Sequence, residues 1–176
     1  MVQLVGKRKR IAIKNAIVAI VVIVAVYLLY EQFLCNGICR LDNSFQKTNI
    51  TINDSASSIR FSAYLATTPY EWDLGYMNVT SLGENCNMST QTGFDNCRQK
   101  GMLFEFYNQS VKCFWMKNTI IPLEQVWIGS NGVILYVYNA TPLSTVPICH
   151  LGTYVLETNT IYIPIQVGDT LSFSKT

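Results

Sequence analysis

The chain has 176 residues, of which 49% are hydrophobic and 14% charged, and its formal net charge is +2. Five Lys or Arg precede residue 15, whereas the chain from Glu31 onward has eight Lys or Arg against eleven Asp or Glu. A slightly acidic domain lacks the positive surface that nucleic-acid binding needs, so we expect no nucleic-acid partner.

The first 34 residues have the pattern of a membrane anchor. Residues 1–10 are a short basic tail. Residues 11–34 begin with an apolar stretch that runs to Leu29 and is interrupted only by Lys14 and Asn15. About 20 helical residues cross the hydrocarbon core of a bilayer, and no small-residue cleavage site follows the stretch. We therefore predict a single transmembrane helix over 11–34. The positive charges place the N-terminus in the cytoplasm and the C-terminal domain outside the cell membrane, with the lipid bilayer as a partner.

The next elements are a neck, two strands and a short helix. Residues 35–56 are predicted to hold a juxtamembrane neck and a first strand that starts near Asn49. Alternating apolar residues over 59–65 predict a half-buried second strand. Thr68, Pro69 and Glu71 form a capping-box pattern for a short helix that ends near Gly75.

The remainder is rich in strand patterns. Residues 83–100, with many Gly and Asn, are predicted to be an irregular inserted surface loop. Strands are predicted at 102–107, 112–119, 126–128, 133–138, 154–158 and 170–174, and Asn131-Gly132 marks a hairpin turn. We therefore predict a mainly β domain over 57–176, a small barrel or sandwich with one short helix, behind the transmembrane helix.

Sequons and cysteines are typical of an extracytoplasmic domain. All six cysteines follow the anchor, and an even number suits disulfide pairing in an oxidising compartment. Cys35 and Cys39 are spaced for a small loop, and Cys86 and Cys97 would staple the predicted insertion. Two soft ligands do not complete a tetrahedral site, so we expect no metal at Cys35 and Cys39. Candidate glycosylation sites open at Asn49, Asn53, Asn78, Asn87, Asn108 and Asn139.

A series of motifs occurs in an order that is typical of one family. They are Thr68-Pro69-x-Glu71…Gly75-Tyr76-Met77, Gly101-Met102-Leu103-Phe104-x-Phe106, Phe114-Trp115-Met116-Lys117-Asn118-Thr119-x-Ile121-Pro122-Leu123, Tyr154-Val155-Leu156-Glu157-x-Asn159 and Val167-Gly168-Asp169. Over about residues 57–174 the chain resembles the prokaryotic family catalogued as domain of unknown function 192. The resemblance implies a compact, mostly β domain, often behind a signal or anchor, with no firmly assigned activity. Segments 83–100 and 160–164 depart from the family pattern.

The position of Cys113 and Cys149 beside these motifs leads us to expect that they pair. The pairs Cys35–Cys39 and Cys86–Cys97 would then complete one of fifteen possible connectivities.

Residues 114–119 are the strongest candidate for a binding site. On a strand, Trp115, Lys117 and Thr119 would share a face that could stack a sugar or hold an anionic group. The alternative is structural: Lys117 pairs with Glu124 or Glu157, and Asn118 caps a turn. The full candidate binding set is Trp115, Lys117, Asn118, Glu157 and Asp169.

The sequence shows no assembled catalytic set and no cofactor motif. His150 is the sole histidine, and the adjacent Cys149 would point to the opposite face of a strand. We therefore expect a non-enzymatic, membrane-tethered binding or accessory module, such as a subunit of a membrane or envelope complex. The alternative is an envelope hydrolase acting on sugars or peptides through residues around Lys117 and Glu157.

Overall fold

The computed structural model describes residues 14–29, 38–79, 86–87 and 89–174. The chain divides into two units, Met1–Asn36 and Gly37–Thr176.

Residues 14–29 of the first unit form an α-helix, α1. Its large apolar side chains are exposed, from 50% at Val24 to 66% at Ile23. Among the described residues, no helix is both long and apolar enough to cross a membrane. The basic tail 1–10 and both ends of the predicted span, 11–13 and 30–34, lie outside the described residues, and the anchor stays a prediction.

The second unit is built on a seven-stranded sheet with the order β5-β4-β6-β3-β2-β1-β7. Neighbouring strands are antiparallel except β2 and β3, which are parallel. The strands are β1 Gln46–Asn53, β2 Ser58–Ala66, β3 Gly101–Phe114, β4 Leu123–Ile128, β5 Ile134–Ala140, β6 Ile148–Thr158 and β7 Thr170–Ser174. The prediction of a mainly β domain is confirmed.

The sheet curls into a half-barrel whose edge strands meet at one corner. Val133, just before β5, forms an isolated bridge with Thr170 at the start of β7. The Leu171 N–H donates to the carbonyl of Gly132 over 2.8 Å. Gly132 has a φ of +81°, and a Cβ there would lie 2.5 Å from the carbonyl oxygen of Leu171. The glycine of the predicted hairpin turn is therefore also what lets the two edges approach.

Three short helices belong to the described part of the second unit, where the sequence predicted one. They are α2 Ile38–Ser44, α3 Pro69–Leu74 and α4 Gln91–Asp95. Helix α3 starts as predicted: Thr68 Oγ1 accepts the Glu71 N–H over 3.3 Å, and Glu71 Oε2 accepts the Thr68 N–H over 2.8 Å. Helix α2 occupies part of the predicted neck and α4 lies in the predicted irregular insertion. Both are too short for helical periodicity to be visible in the sequence.

The insertion is anchored in the core rather than lying wholly on the surface. The predicted Cys86–Cys97 disulfide is present, and Phe94 of α4 is 1% exposed. The Phe94 ring lies 5.2 Å from the ring of Tyr162. The two segments that depart from the family pattern, 83–100 and 160–164, therefore pack against each other.

Strand β3 replaces two predicted strands, at 102–107 and 112–119. It pairs with β6 through a register shift between Glu105 and Ser110, and such a bulge carries a strand through a polar stretch that resembles a turn. The strand ends at Phe114. The prediction that residues 115–119 continue it is wrong, because the chain turns there and Asn118 has a φ of +57°.

The core lies along the central strands. β4 is buried over its whole length, between β5 and β6. Its Trp127 is fully buried and donates its Nε1–H to the carbonyl of Lys112 over 2.9 Å. Burying an apolar side chain of this kind stabilises a fold by about 1.5–3 kcal/mol.

A second disulfide crosses the sheet. Cys113 of β3 and Cys149 of β6 are directly opposite in register and are joined, with their Cα atoms 4.0 Å apart. The predicted partner of Cys39, Cys35, lies outside the described residues. All six asparagines of the predicted glycosylation sites are exposed.

Candidate ligand-binding cavity

A cavity of about 670 Å³ is formed by the α3 segment, strand β3 with the turn after it, and strand β6. The topology accounts for its position. Because β2 and β3 are parallel, they need a crossover connection, and that connection carries α3 to the face of β3. The cavity is lined by Trp72, Asp73, Leu74, Gly75, Tyr76, Met77, Phe104, Phe106, Val111, Lys112, Cys113, Phe114, Trp115, Thr119 and Glu157.

Aromatic rings form one continuous wall of the cavity. The Trp72 ring lies 4.7 Å from that of Phe106, and its Nε1–H donates to the carbonyl of Ala66 over 3.2 Å. Phe114 meets Phe104 edge to face at 4.8 Å and Phe106 at 6.2 Å. Edge-to-face pairs of this kind stabilise by about 0.5–1.5 kcal/mol beyond their burial, so the wall is held in one arrangement.

Glu157 of β6 is the buried acid of the cavity, with 5% exposure. It lies directly opposite Gln125 of β4, whose Nε2–H donates to Glu157 Oε1 over 3.1 Å. Burial raises the pKa of the Glu157 carboxyl from 4.5 to about 7, and the Gln125 hydrogen bond opposes this rise. The carboxyl therefore gains and loses its proton near neutral pH.

Tyr76, which follows α3, brings a hydroxyl to the same cavity. The side chain is 2% exposed, and its hydroxyl has no hydrogen-bond partner among the described residues. Burial, with the charge of Glu157, raises the pKa of this phenol well above its ordinary value. A buried hydroxyl without a partner costs free energy, which a bound molecule could recover.

The turn after β3 places its residues differently from the sequence expectation. Trp115 lines the cavity and is 43% exposed, and Lys117 Nζ lies 5.0 Å from the Trp115 ring centre. Among the described residues, the ion pairs do not include Lys117 with Glu124 or Glu157. Because β3 ends at Phe114, Trp115, Lys117 and Thr119 lie outside the strand, and the prediction that they share a strand face is wrong.

Asn118 and Asp169 serve turns. The Asn118 carbonyl accepts the Asn78 N–H over 2.8 Å, and its positive φ agrees with the alternative that it turns the chain. Asp169 Oδ2 accepts the Gln166 N–H over 2.8 Å, and its carbonyl accepts the Ile134 N–H over 2.8 Å. Asp169 thus belongs to the corner where β5 and β7 meet.

The structure brings together Trp115 and Glu157 from the candidate set, and leaves Lys117, Asn118 and Asp169 out of the cavity lining. Sequence reasoning missed Tyr76 and Gln125. Tyr76 lies in one of the family motifs, and that position is a sequence signal from which it could be predicted as a site residue. Gln125 carried no signal, because its role depends on being opposite Glu157 in the sheet.

Comparison with known proteins agrees with this architecture. The model of the DUF192 family, described as Uncharacterized ACR, matches residues 50–173. A crystal structure from Sinorhizobium meliloti, of a protein named as a candidate transcription regulator, is 26% identical with a TM-score of 0.61, covering 74% of this chain and 95% of that one. A protein of unknown function from Novosphingobium aromaticivorans is also 26% identical, with a TM-score of 0.57, covering 70% and 83% respectively. No curated protein matches the chain.

Proposed function

The chain belongs to the DUF192 family, and on that premise we propose that it is a non-enzymatic, membrane-tethered extracytoplasmic module that binds a small ligand. The observation that carries the proposal is the cavity of about 670 Å³ with an aromatic wall and a buried acid. Sites for small molecules usually have volumes of about 300–1,000 Å³, apolar walls and a few placed polar groups. Such a module could act alone or as a subunit of a membrane or envelope complex.

The arrangement of the acids favours binding over hydrolysis. A glycosidase needs two carboxyl groups that flank one bond, and here Glu157 is buried while Asp73, the other acid that lines the cavity, is exposed. Lys117, the proposed partner in the hydrolase alternative, is not among the lining residues. Cys149 is held in a disulfide and the His150 ring stacks on Tyr136 at 3.5 Å, so these two do not form a nucleophile and base.

The proposal of a tether has separate support. Helix α1 presents large apolar side chains with 50–66% exposure, and five basic residues lie within the first 14 residues of the chain. The two disulfides of the described residues suit an oxidising compartment outside the cytoplasm, and the exposed asparagines of the sequons would be accessible to glycosylation there. The slightly acidic charge of the domain argues against nucleic-acid binding, which needs a basic surface.

The test is ligand-observed NMR on the full chain in mild detergent, with a panel of small aromatic and aliphatic compounds. Val111→Trp would fill the cavity from β3. Leu151→Trp is the matched control, because Leu151 lies opposite Val111 in the sheet, is also exposed and does not line the cavity. Binding that Val111→Trp abolishes and Leu151→Trp preserves supports the proposal. It fails if no compound binds, or if both variants bind alike. Turnover of envelope glycans or peptides, lost in Glu157→Gln, would favour the hydrolase alternative.

A further inference from the structure

We infer that the ligand of this cavity is an organic cation whose ammonium group lies between the Glu157 carboxylate and the aromatic wall. The inference rests on the proposed binding function and names its ligand class.

The first argument is the charge balance of Glu157. A buried carboxylate is costly unless a positive group compensates it. Among the described residues, the hydrogen-bond partner of the Glu157 carboxylate is the neutral amide of Gln125, over 3.1 Å. The basic residue that lines the cavity, Lys112, directs its Nζ to the ring of Phe106, 4.5 Å from the ring centre. The positive charge that Glu157 lacks would therefore come from the ligand.

The second argument is the chemistry of the wall. The face of an aromatic ring carries partial negative charge and attracts cations within about 6 Å of its centre. The protein itself uses one ring of the wall in this way, because the Lys112 ammonium group lies over Phe106, 4.5 Å from the ring centre. Phe104 and Phe114, which line the same cavity, carry no lysine among the described cation–ring contacts.

The third argument is the unpartnered hydroxyl of Tyr76. It is buried, lines the cavity and is electrostatically coupled to Glu157. With a cation bound, this hydroxyl can accept an N–H or O–H from the ligand. Ligand binding would therefore give partners to both the Glu157 carboxylate and the Tyr76 hydroxyl, whereas the hydroxyl otherwise has none among the described residues.

Binding of a cation is then linked to the proton of Glu157. The carboxyl is half protonated near pH 7, so a ligand that requires the carboxylate displaces the proton and binds more tightly as the pH rises through 7. The titratable groups that line the cavity with it are Asp73 and Tyr76 from the α3 segment and Lys112 from β3. The positive charge of Lys112 opposes the binding of a cation, and the negative charge of Asp73 favours it.

The experiment is isothermal titration calorimetry of the full chain in mild detergent with choline, whose charge does not depend on pH. Its uncharged isostere, with carbon in place of nitrogen, is the matched ligand. We expect choline to bind at least about tenfold more tightly than the isostere, since a desolvated charged pair and a cation over an aromatic face both contribute. We also expect its affinity to rise from pH 5.5 to pH 8.

Three variants sharpen the test. Glu157→Gln keeps the shape and the Gln125 contact but removes the charge, and should weaken choline about tenfold or more while sparing the isostere. Glu124→Gln is the control, because Glu124 is equally buried at 5% exposure but lies outside the cavity lining, and it should leave both ligands unchanged. Lys112→Met removes a like charge and should leave choline binding equal or tighter. Weaker choline binding in Lys112→Met would overturn the inference, because removal of a like charge should not weaken the binding of a cation.

The outcomes separate this inference from the proposed function. If the isostere binds as well as choline, or if neither binds while other compounds of the panel bind in a manner sensitive to Val111→Trp, the cation inference is wrong and the binding function stands. If no compound binds, the binding function itself fails. Phosphatidylcholine vesicles that displace choline would identify a lipid head group as the source of the cation, and vesicles without effect would point to a soluble amine.

Discussion

Replacement of Glu157 by Gln should stabilise the protein at pH 8 and leave its stability near pH 4.5 unchanged. Below about pH 4.5 the carboxyl is protonated in both the folded and the unfolded chain. Between pH 4.5 and about 7 the unfolded chain loses this proton while the folded chain keeps it. Because the folded state binds more protons in this window, the free energy of unfolding falls as the pH rises through it. Above pH 7 the full penalty of the buried charge is present.

The size of the effect follows from the shift in pKa. Each pKa unit corresponds to about 1.4 kcal/mol. A rise in the pKa of Glu157 from 4.5 to about 7 therefore lowers the free energy of unfolding of the wild type by roughly 3 kcal/mol between pH 4 and pH 8. Glutamine does not ionise, and its side-chain oxygen can still accept from Gln125. The variant should therefore match the wild type near pH 4.5 and exceed its stability by about 3 kcal/mol at pH 8.

The measurement is equilibrium unfolding of both full-length proteins in the same detergent, from pH 4.5 to pH 8.5, followed by tryptophan fluorescence, to which the buried Trp127 contributes. The difference between the two proteins cancels every other titrating group. A difference that stays constant with pH would refute the reasoning. It would mean that water reaches Glu157 and holds its pKa near the ordinary value.

Three further predictions concern the same unfolding measurement at pH 7. Thr68→Ala removes the hydroxyl that caps α3 and should cost about 1 kcal/mol, whereas an unchanged midpoint would show that the cap does not stabilise the fold. Replacing Cys113 and Cys149 together by Ser should cost about 4 kcal/mol, because the two lie 36 residues apart and the chain-entropy effect grows with loop length. A loss below about 1 kcal/mol would contradict that estimate. Gly132→Ala should cost more than Gly168→Ala, by about 1 kcal/mol or more. Both glycines have a positive φ, but only at Gly132 would an added Cβ clash with backbone. Equal losses of stability in the two variants would show that the positive φ alone sets the cost.

Much of the local structure could be predicted because it depends on neighbours in sequence. The capping box of α3 needs only Thr68 and Glu71, three residues apart, and both hydrogen bonds form. The hairpin between β4 and β5 follows from Asn131-Gly132, where a positive φ is required. By contrast, the polar middle of β3 resembled a turn, since a bulge depends on the partner strand β6 and leaves little mark on its own sequence.

The candidate site was only partly predictable, for the same physical reason. Trp115 and Glu157 were singled out through motifs that carry a family pattern, and both line the cavity. The sequence pattern predicts Lys117 on a strand face, but that face does not exist, because β3 ends at Phe114 and the chain turns. Alternation of side chains holds only while the strand continues, and no local signal marked the point where it stops.

The sequence by itself determined the division between an apolar, basic-flanked N-terminal segment and a mainly β domain, because composition and short-range periodicity govern both. It also determined the turns and caps, whose hydrogen bonds span a few residues. Only the tertiary structure decided the cavity. Glu157 and Gln125 are 32 residues apart, and the lining comes from three separate segments around residues 72–77, 104–119 and 157. The burial that raises the pKa of Glu157 exists only once the crossover connection has laid α3 against β3, and desolvation by distant residues leaves no trace in a local pattern.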